Sequence, residues 1–357
     1  MITGILELLF SMTLFITGGN LIDTKFGLHK YSEQDYKDIF YLKNNKSTSK
    51  ECIRHSKVET LKKVRRSREG GSQTDFQIHN PSATLEKLKS NPGMEIPIAS
   101  LKHLNLKIGV DVMISSDVPP GSGLGGSSSL TVNFVKILSI LNKLKWKNEK
   151  VAETSFHIER NVLQHPIGKQ DDYIASFGGF NFIRFTKEQI YVEPIQINKS
   201  TFDELQENLV LFFVGNTRKN TIVLSNQLEN IKKKRNETIE ALHYVKGLSE
   251  EMNSALKQSD ITHFGELLHK GWIAKKKFAK GVSNENINKI YDAALENGAS
   301  GGKLTGAGGG GHMLFYCEKS KHDGFIQKME YIGLKHIRFK FNDDGPKVLN
   351  LYDYSGK

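Results

Sequence analysis

The sequence predicts a two-domain α+β or α/β protein divided near residue 190, and three observations carry that prediction. Strand-like and helix-like patterns interleave in both halves of the chain. Each half holds one glycine-rich stretch beside a strand. The length of 357 residues, with 38% hydrophobic and 25% charged content, suits two globular cores better than one. No internal repeat is visible.

Taken in order, residues 5–16 are apolar, but the run is too short to span a bilayer and contains Glu7. It carries neither a basic leader nor a small-residue cleavage site, so a cytoplasmic location is expected. Residues 43–97 are polar, basic and weakly periodic, and read as loops with short helices. Then Leu104, Leu106, Ile108, Val110, Val112 and Ile114 alternate strictly, which predicts a half-buried strand. A glycine-rich stretch follows, and Leu130, Phe134, Ile137, Leu138 and Leu141 recur at helical spacing beyond it. The pattern next predicts a helix over 151–164 broken at Pro166, a strand over 177–185 and a buried strand over 209–214. Helices are expected over 221–257, 261–280 and 286–297. A second glycine-rich loop, 301–311, leads into a strand at 313–317, and a helix over 323–332 with two short strands closes the chain.

The net charge of +11 invites a nucleic-acid reading. The basic residues are dispersed, however, in runs such as 62–68, Lys232 to Arg235 and Lys275 to Lys277, and the last two sit on helix-like stretches as solvated faces. No nucleic-acid or membrane partner is expected; a small anionic substrate profits from the same field. Cys52 and Cys317 are the only cysteines, far apart, which excludes a disulfide framework and fits a reducing compartment.

The stretch Asp117-Val-Pro-Pro-Gly-Ser-Gly-Leu-Gly-Gly-Ser-Ser-Ser-Leu130 joins strand to helix. A helix start leaves unpaired N–H groups and a partial positive charge. Glycines ahead of it let backbone approach a ligand closely. Strand, glycine turn and helix together make a phosphate site, and hydroxyls in the first turn suit phosphate oxygens or Mg²⁺. A Walker loop needs a Lys that is missing here. Gly121-Ser-Gly123-Leu-Gly125-Gly126 fits the short dinucleotide pattern, but the acidic residue expected about twenty positions on would fall in Lys143-Leu-Lys-Trp-Lys147. Protein-kinase motifs are absent.

Pro119-Pro-Gly-Ser-Gly-Leu-Gly-Gly-Ser-Ser128 resembles the ATP-binding motif of the GHMP small-molecule kinases, and Lys303-Leu-Thr-Gly-Ala-Gly-Gly-Gly-Gly311 resembles their later glycine motif. The resemblance implies a ribosomal-protein-S5-like N-terminal domain over 1–190, with 1–100 atypical, and a ferredoxin-like C-terminal domain over 191–357. It implies that Pro119, Gly121, Gly123, Leu124, Gly125, Gly126, Ser127, Ser128 and Ser129 bind ATP, and that Ser127 and Glu159 hold Mg²⁺. By the same resemblance Asp171 faces the acceptor hydroxyl, with Asp172 as a rival; Lys169, beside it in sequence, is expected from its charge to keep it ionised or meet the phosphoryl group. Gly308, Gly309 and Gly310 are expected against phosphate or substrate.

Within the family, Pro166 to Phe182, Phe213 to Arg218 and 271–280 look most like the bacterial heptose kinases. That implies heptose 7-phosphate as acceptor, phosphorylated at its anomeric hydroxyl, with Asn181 and Arg218 as sugar contacts. Another sugar, a mevalonate-like alcohol, or a nucleotide-binding relative without turnover are the alternatives. The family's opening Gly-Gly-Gly-Thr-Asp has only a faint echo in Phe15-Ile-Thr-Gly-Gly-Asn-Leu-Ile-Asp23.

Overall fold

The computed structural model describes residues 12–18, 20–24, 72–78, 94–105, 110–116, 121–215 and 220–350. Strands β1 (Met12–Gly18), β2 (Asn20–Thr24) and β3 (Ser72–Ile78) belong to one antiparallel sheet. Helix α1 (Glu95–His103) comes next, where weak periodicity suggests only loops and short helices. Met94, Ile98 and Leu101 pack from it against the central helix. Pro97 lies in its first turn, where a missing N–H breaks no helical bond. The strand expected from 104 therefore begins later, as β4 (Val110–Ser116): Leu104 caps α1, and Leu106 and Ile108 lie outside the described residues.

Helix α2 (Gly126–Leu141) is the centre of the N-terminal half. Phe134, Ile137 and Leu138 pack toward α1 and Ile114, whereas Val132 and Val135 pack toward the helices that follow. A helix apolar on several faces is buried along its middle, so Ser127 at its start is among the few exposed positions. Helix α3 (Asn148–His157) passes into a π-helical turn at Ile158–Val162 and ends at Gln164, whose φ is 58°. Helix α4 (Gln170–Phe177) stops at Gly178 and Gly179, so β5 (Asn181–Phe185) starts later than the expected 177. It forms a hairpin with β6 (Ile190–Pro194).

The rest alternates helices and strands: α5 (Lys199–Asn208), β7 (Leu209–Gly215), α6 (Asn220–Lys232), α7 (Asn236–Lys257), α8 (Ile261–Lys275), α9 (Glu285–Glu296), β8 (Ala299–Leu304), β9 (Gly311–Cys317), α10 (His322–Tyr331) and β10 (Lys335–Ile337). The single helix expected over 221–257 is two, broken where Lys234 takes a φ of 50°. The first residues of the expected glycine loop are strand β8, which leaves 305–310 as the turn. The second sheet runs β10-β7-β9-β8, antiparallel throughout. On β9, Phe315 joins Trp272, Tyr291 and Phe325 on one face, while Leu314 and Tyr316 join Phe264 and Leu267 on the other. Both faces are covered, which explains the unbroken apolar run that marks this strand in sequence.

The chain does not divide cleanly at residue 190. That residue opens β6 inside a hairpin, and the tail beyond β10 returns to the first half. There the Asn342 carbonyl accepts a hydrogen bond from Gly179 N–H at 3.2 Å. Strand β11 (Leu349–Asn350) then pairs antiparallel with β2, completing a first sheet of order β11-β2-β1-β4-β3.

Candidate active site

The first glycine loop, 121–125, has left-handed backbone at Gly121, Gly123 and Gly125, with φ of 76°, 76° and 70°. Gly125 is the N-cap of α2, with no side-chain cap and no acidic residue in the first turn. The positive end of the helix is thus left for an outside anion. Leu124 is buried and pins the loop to the core, and Ser128 and Ser129 are buried in the first turn. Ser127 is exposed, and its Oγ donates to Glu159 Oε2 at 2.5 Å.

Glu159 has no exposed surface, sits in the π-helical turn, and its Oε1 accepts no hydrogen bond among the described residues. Such wide turns recur at functional sites. His165 Nδ1 lies 3.8 Å from Glu159 Oε2, and its polar contact with that carboxylate raises the imidazole pKa against the opposing effect of burial. Helix α4 adds two acids. Asp172 is fully buried, and among the described residues neither of its carboxyl oxygens has a hydrogen-bond partner; burial first, then the charges of Glu159 and Asp171, push its pKa well above the usual range. Asp171 is only half-buried, and its Oδ1 likewise lacks a partner among the described residues. A hydroxyl and three carboxyls are therefore gathered beneath the start of α2.

The second glycine loop closes against the first, backbone to backbone. A Cβ on Gly306 would stand 2.8 Å from Gly123 Cα, and one on Gly311 would stand 2.4 Å from the Ser122 carbonyl oxygen. No residue but glycine fits contacts so close. Lys275 Nζ holds the loop from behind, donating to the Gly306 carbonyl at 2.5 Å and reaching that of Leu304 at 3.4 Å.

Several expected site residues are placed differently. The Lys169 ammonium pairs with Glu153 at 2.9 Å rather than with Asp171, because α3 presents that carboxylate directly to it. Gly308 and Gly309 lie on the backbone of Gly281 and Val282, and the Gly309 amide donates to Val282 O at 2.9 Å; Gly310 continues this turn into β9. Asn181 is buried and donates to the Gly178 carbonyl at 2.6 Å, fastening the start of β5. Pro119 and Arg218 lie outside the described residues. Sequence reasoning missed His165 and His312, which carry no motif, and took Lys275 for part of a solvated run.

Among the described residues no group of three or more His, Cys, Asp or Glu is arranged to hold a metal ion, and no helix is long and apolar enough to cross a membrane. A groove of about 350 Å³ between α7 and α8, bordered by Tyr244, Lys270 and Ile273, contains none of the residues gathered at the loops.

A glycine cradle at a helix start, closed by a second glycine loop and accompanied by clustered acids, is the arrangement a small-molecule kinase needs. Residues 95–179 match the GHMP kinases N terminal domain and residues 252–331 match GHMP kinases C terminal. A D-glycero-alpha-D-manno-heptose 7-phosphate kinase of Campylobacter jejuni is 35% identical over 236 residues, covering 65% of this chain and 68% of that one. The fold also matches a D-glycero-D-manno-heptose 1-phosphate kinase from Bacteroides thetaiotaomicron, with a TM-score of 0.61 and 24% identity over 79% of this chain and 87% of that one. Lactococcus lactis galactokinase complexed with galactose matches with a TM-score of 0.61 and 14% identity, over 96% and 94% of the two chains. The chain belongs to the GHMP kinase family, and it is an ATP-dependent phosphotransferase.

Proposed function

We propose that this kinase transfers the γ-phosphoryl group of ATP to the anomeric hydroxyl of D-glycero-α-D-manno-heptose 7-phosphate, giving the 1,7-bisphosphate. The observation that carries the reading is the Ser127–Glu159 contact at the start of α2, with Asp171 and Asp172 interacting beside it. It brings anion-binding backbone and acidic side chains into one place. The choice of acceptor is supported by the 35% identity to the Campylobacter jejuni enzyme. The net charge of +11 suits two anionic substrates.

In this reading the amides of 121–128 grip the ATP phosphates. Ser127 Oγ and the unpartnered Glu159 Oε1 are oxygen donors of the kind Mg²⁺ takes, together with phosphate and water. They would hold the ion where its charge would offset that of the transferring phosphoryl group. Asp171 orients the acceptor hydroxyl and takes its proton as the oxygen bonds to the γ-phosphorus. The bond from that phosphorus to the bridging oxygen breaks, and ADP leaves. The full burial of Asp172 and its interaction with Glu159 support Asp171 in this role over its neighbour.

The test is ADP release from Mg-ATP across a panel of heptose and hexose phosphates and the free sugars. Heptose 7-phosphate is expected to be turned over fastest. Release only with free sugars, or with none of the panel, removes the assignment.

A further inference from the structure

The two glycine loops meet at the peptide between Ser122 and Gly123, and the groups that grip it come from the other half of the chain. Thr305 O and Oγ1 would each lie 3.0 Å from a Cβ on Gly123. Gly311 closes on the Ser122 carbonyl, and His312 Nδ1 stands 2.9 Å from that same oxygen. A carbonyl only accepts, so the ring donates and Nδ1 carries the hydrogen. The side chain is buried, with its ring centre 5.2 Å from that of Phe213. Burial lowers the imidazole pKa, so the ring is neutral and the bond to Ser122 selects its tautomer.

In a trans peptide the C=O and the following N–H point in opposite directions. Drawing the Ser122 carbonyl toward β9 therefore turns the Gly123 N–H to the side away from β9. Among the described residues that amide donates to no backbone carbonyl. We infer that His312 is a positioning residue for the nucleotide: it fastens the phosphate-binding loop of one half onto β9 of the other and aims the Gly123 amide at the ligand. The inference rests on the reading of 121–128 as the ATP cradle. It assigns to the C-terminal half a direct part in setting ATP affinity, through a side chain that touches no substrate.

The experiment compares His312→Asn, His312→Gln and His312→Ala by calorimetric titration with Mg-ATP and by steady-state kinetics. Asn sets its carboxamide nitrogen close to the place of Nδ1, whereas Gln carries it one carbon further. Gln and Ala are expected to raise Kd and KM for ATP about tenfold, the worth of one oriented hydrogen bond. Under the same conditions kcat at saturating ATP stays within about twofold, and Asn retains most of the affinity. Should Ala fail to fold, the Asn and Gln pair decides. Unchanged ATP affinity in Gln overturns the inference, as does an Asn variant as weak as Gln, or a loss confined to kcat. If no sugar in the panel yields ADP while Gln weakens Mg-ATP binding and Asn restores it, the acceptor assignment falls and the role of His312 stands. Full heptose turnover with unaltered ATP binding in every variant means the opposite: the acceptor assignment stands and the role of His312 falls.

Discussion

Asp171 and Asp172 are neighbours in sequence with opposite surroundings, and the difference underlies the parts proposed for them. Asp172 points into the protein, fully buried; Asp171 keeps access to the outside. Asp171→Asn is expected to lower kcat by about 10²–10⁴-fold, the usual worth of a general base, with Mg-ATP affinity nearly unchanged by titration. A variant with near-normal kcat would show that positioning alone carries the reaction. Other single residues are not legible in the sequence. Lys275 begins a Lys-Lys-Lys run that reads as a wet helix face, yet its ammonium lies on carbonyls of the second loop. His312 lies between the second glycine loop and the apolar run 313–317 and carries no motif. Its use depends on Ser122, far away in sequence, and no local pattern encodes that meeting.

At the scale of elements, the orientation of α4 decides where Asp171 stands, and Glu153 on α3 fixes it. Lys169 just before α4 donates to Glu153 Oε1 at 2.9 Å, and Tyr173 Oη donates to the same oxygen at 2.5 Å. Burial raises the Glu153 pKa, but the Tyr173 and Lys169 hydrogen bonds outweigh it and bring the value below its reference of 4.5. A carboxylate held low in the folded state stabilises fully above pH 4.5, and that support is lost as pH falls through the folded value. The groups are partly exposed, so the stability at stake is about 1 kcal/mol or less. Glu153→Gln is therefore expected to leave the melting temperature near wild type at neutral pH while lowering kcat severalfold, because α4 loses its tether. An unaltered kcat would release Glu153 from that role. The elements most legible in sequence are those with undivided packing duties, such as α2 and β9. The misread ones follow competing demands: Leu104 continues the alternating pattern but caps α1, and Phe177 sits before glycines that end a helix rather than within a strand.

For the whole molecule, the two glycine motifs reveal the architecture because each sits beside a strand and the two loops close on each other. The return of the tail is not legible: β11 is two residues long, below any periodic signal. Its effect is large for its size, because Val348 packs on the core around α2 and the Gly345 backbone sits where Cβ atoms would clash with Ser176 and Phe177. Removing residues 346–357 is expected to lower the melting temperature by at least about 3 °C and to weaken turnover with it. A truncated chain that melts with wild type would show the tail to be dispensable.

The return of residues 349 and 350 to Asp23 and Ile22 also bears on how the molecule is made. A ribosome releases the amino end first, so the outer edge of β2 stays open, ready to recruit other strands, until residues 349 and 350 have emerged. The nascent chain can gather α2 and its neighbours early. It closes its first sheet only when that late pair of residues arrives.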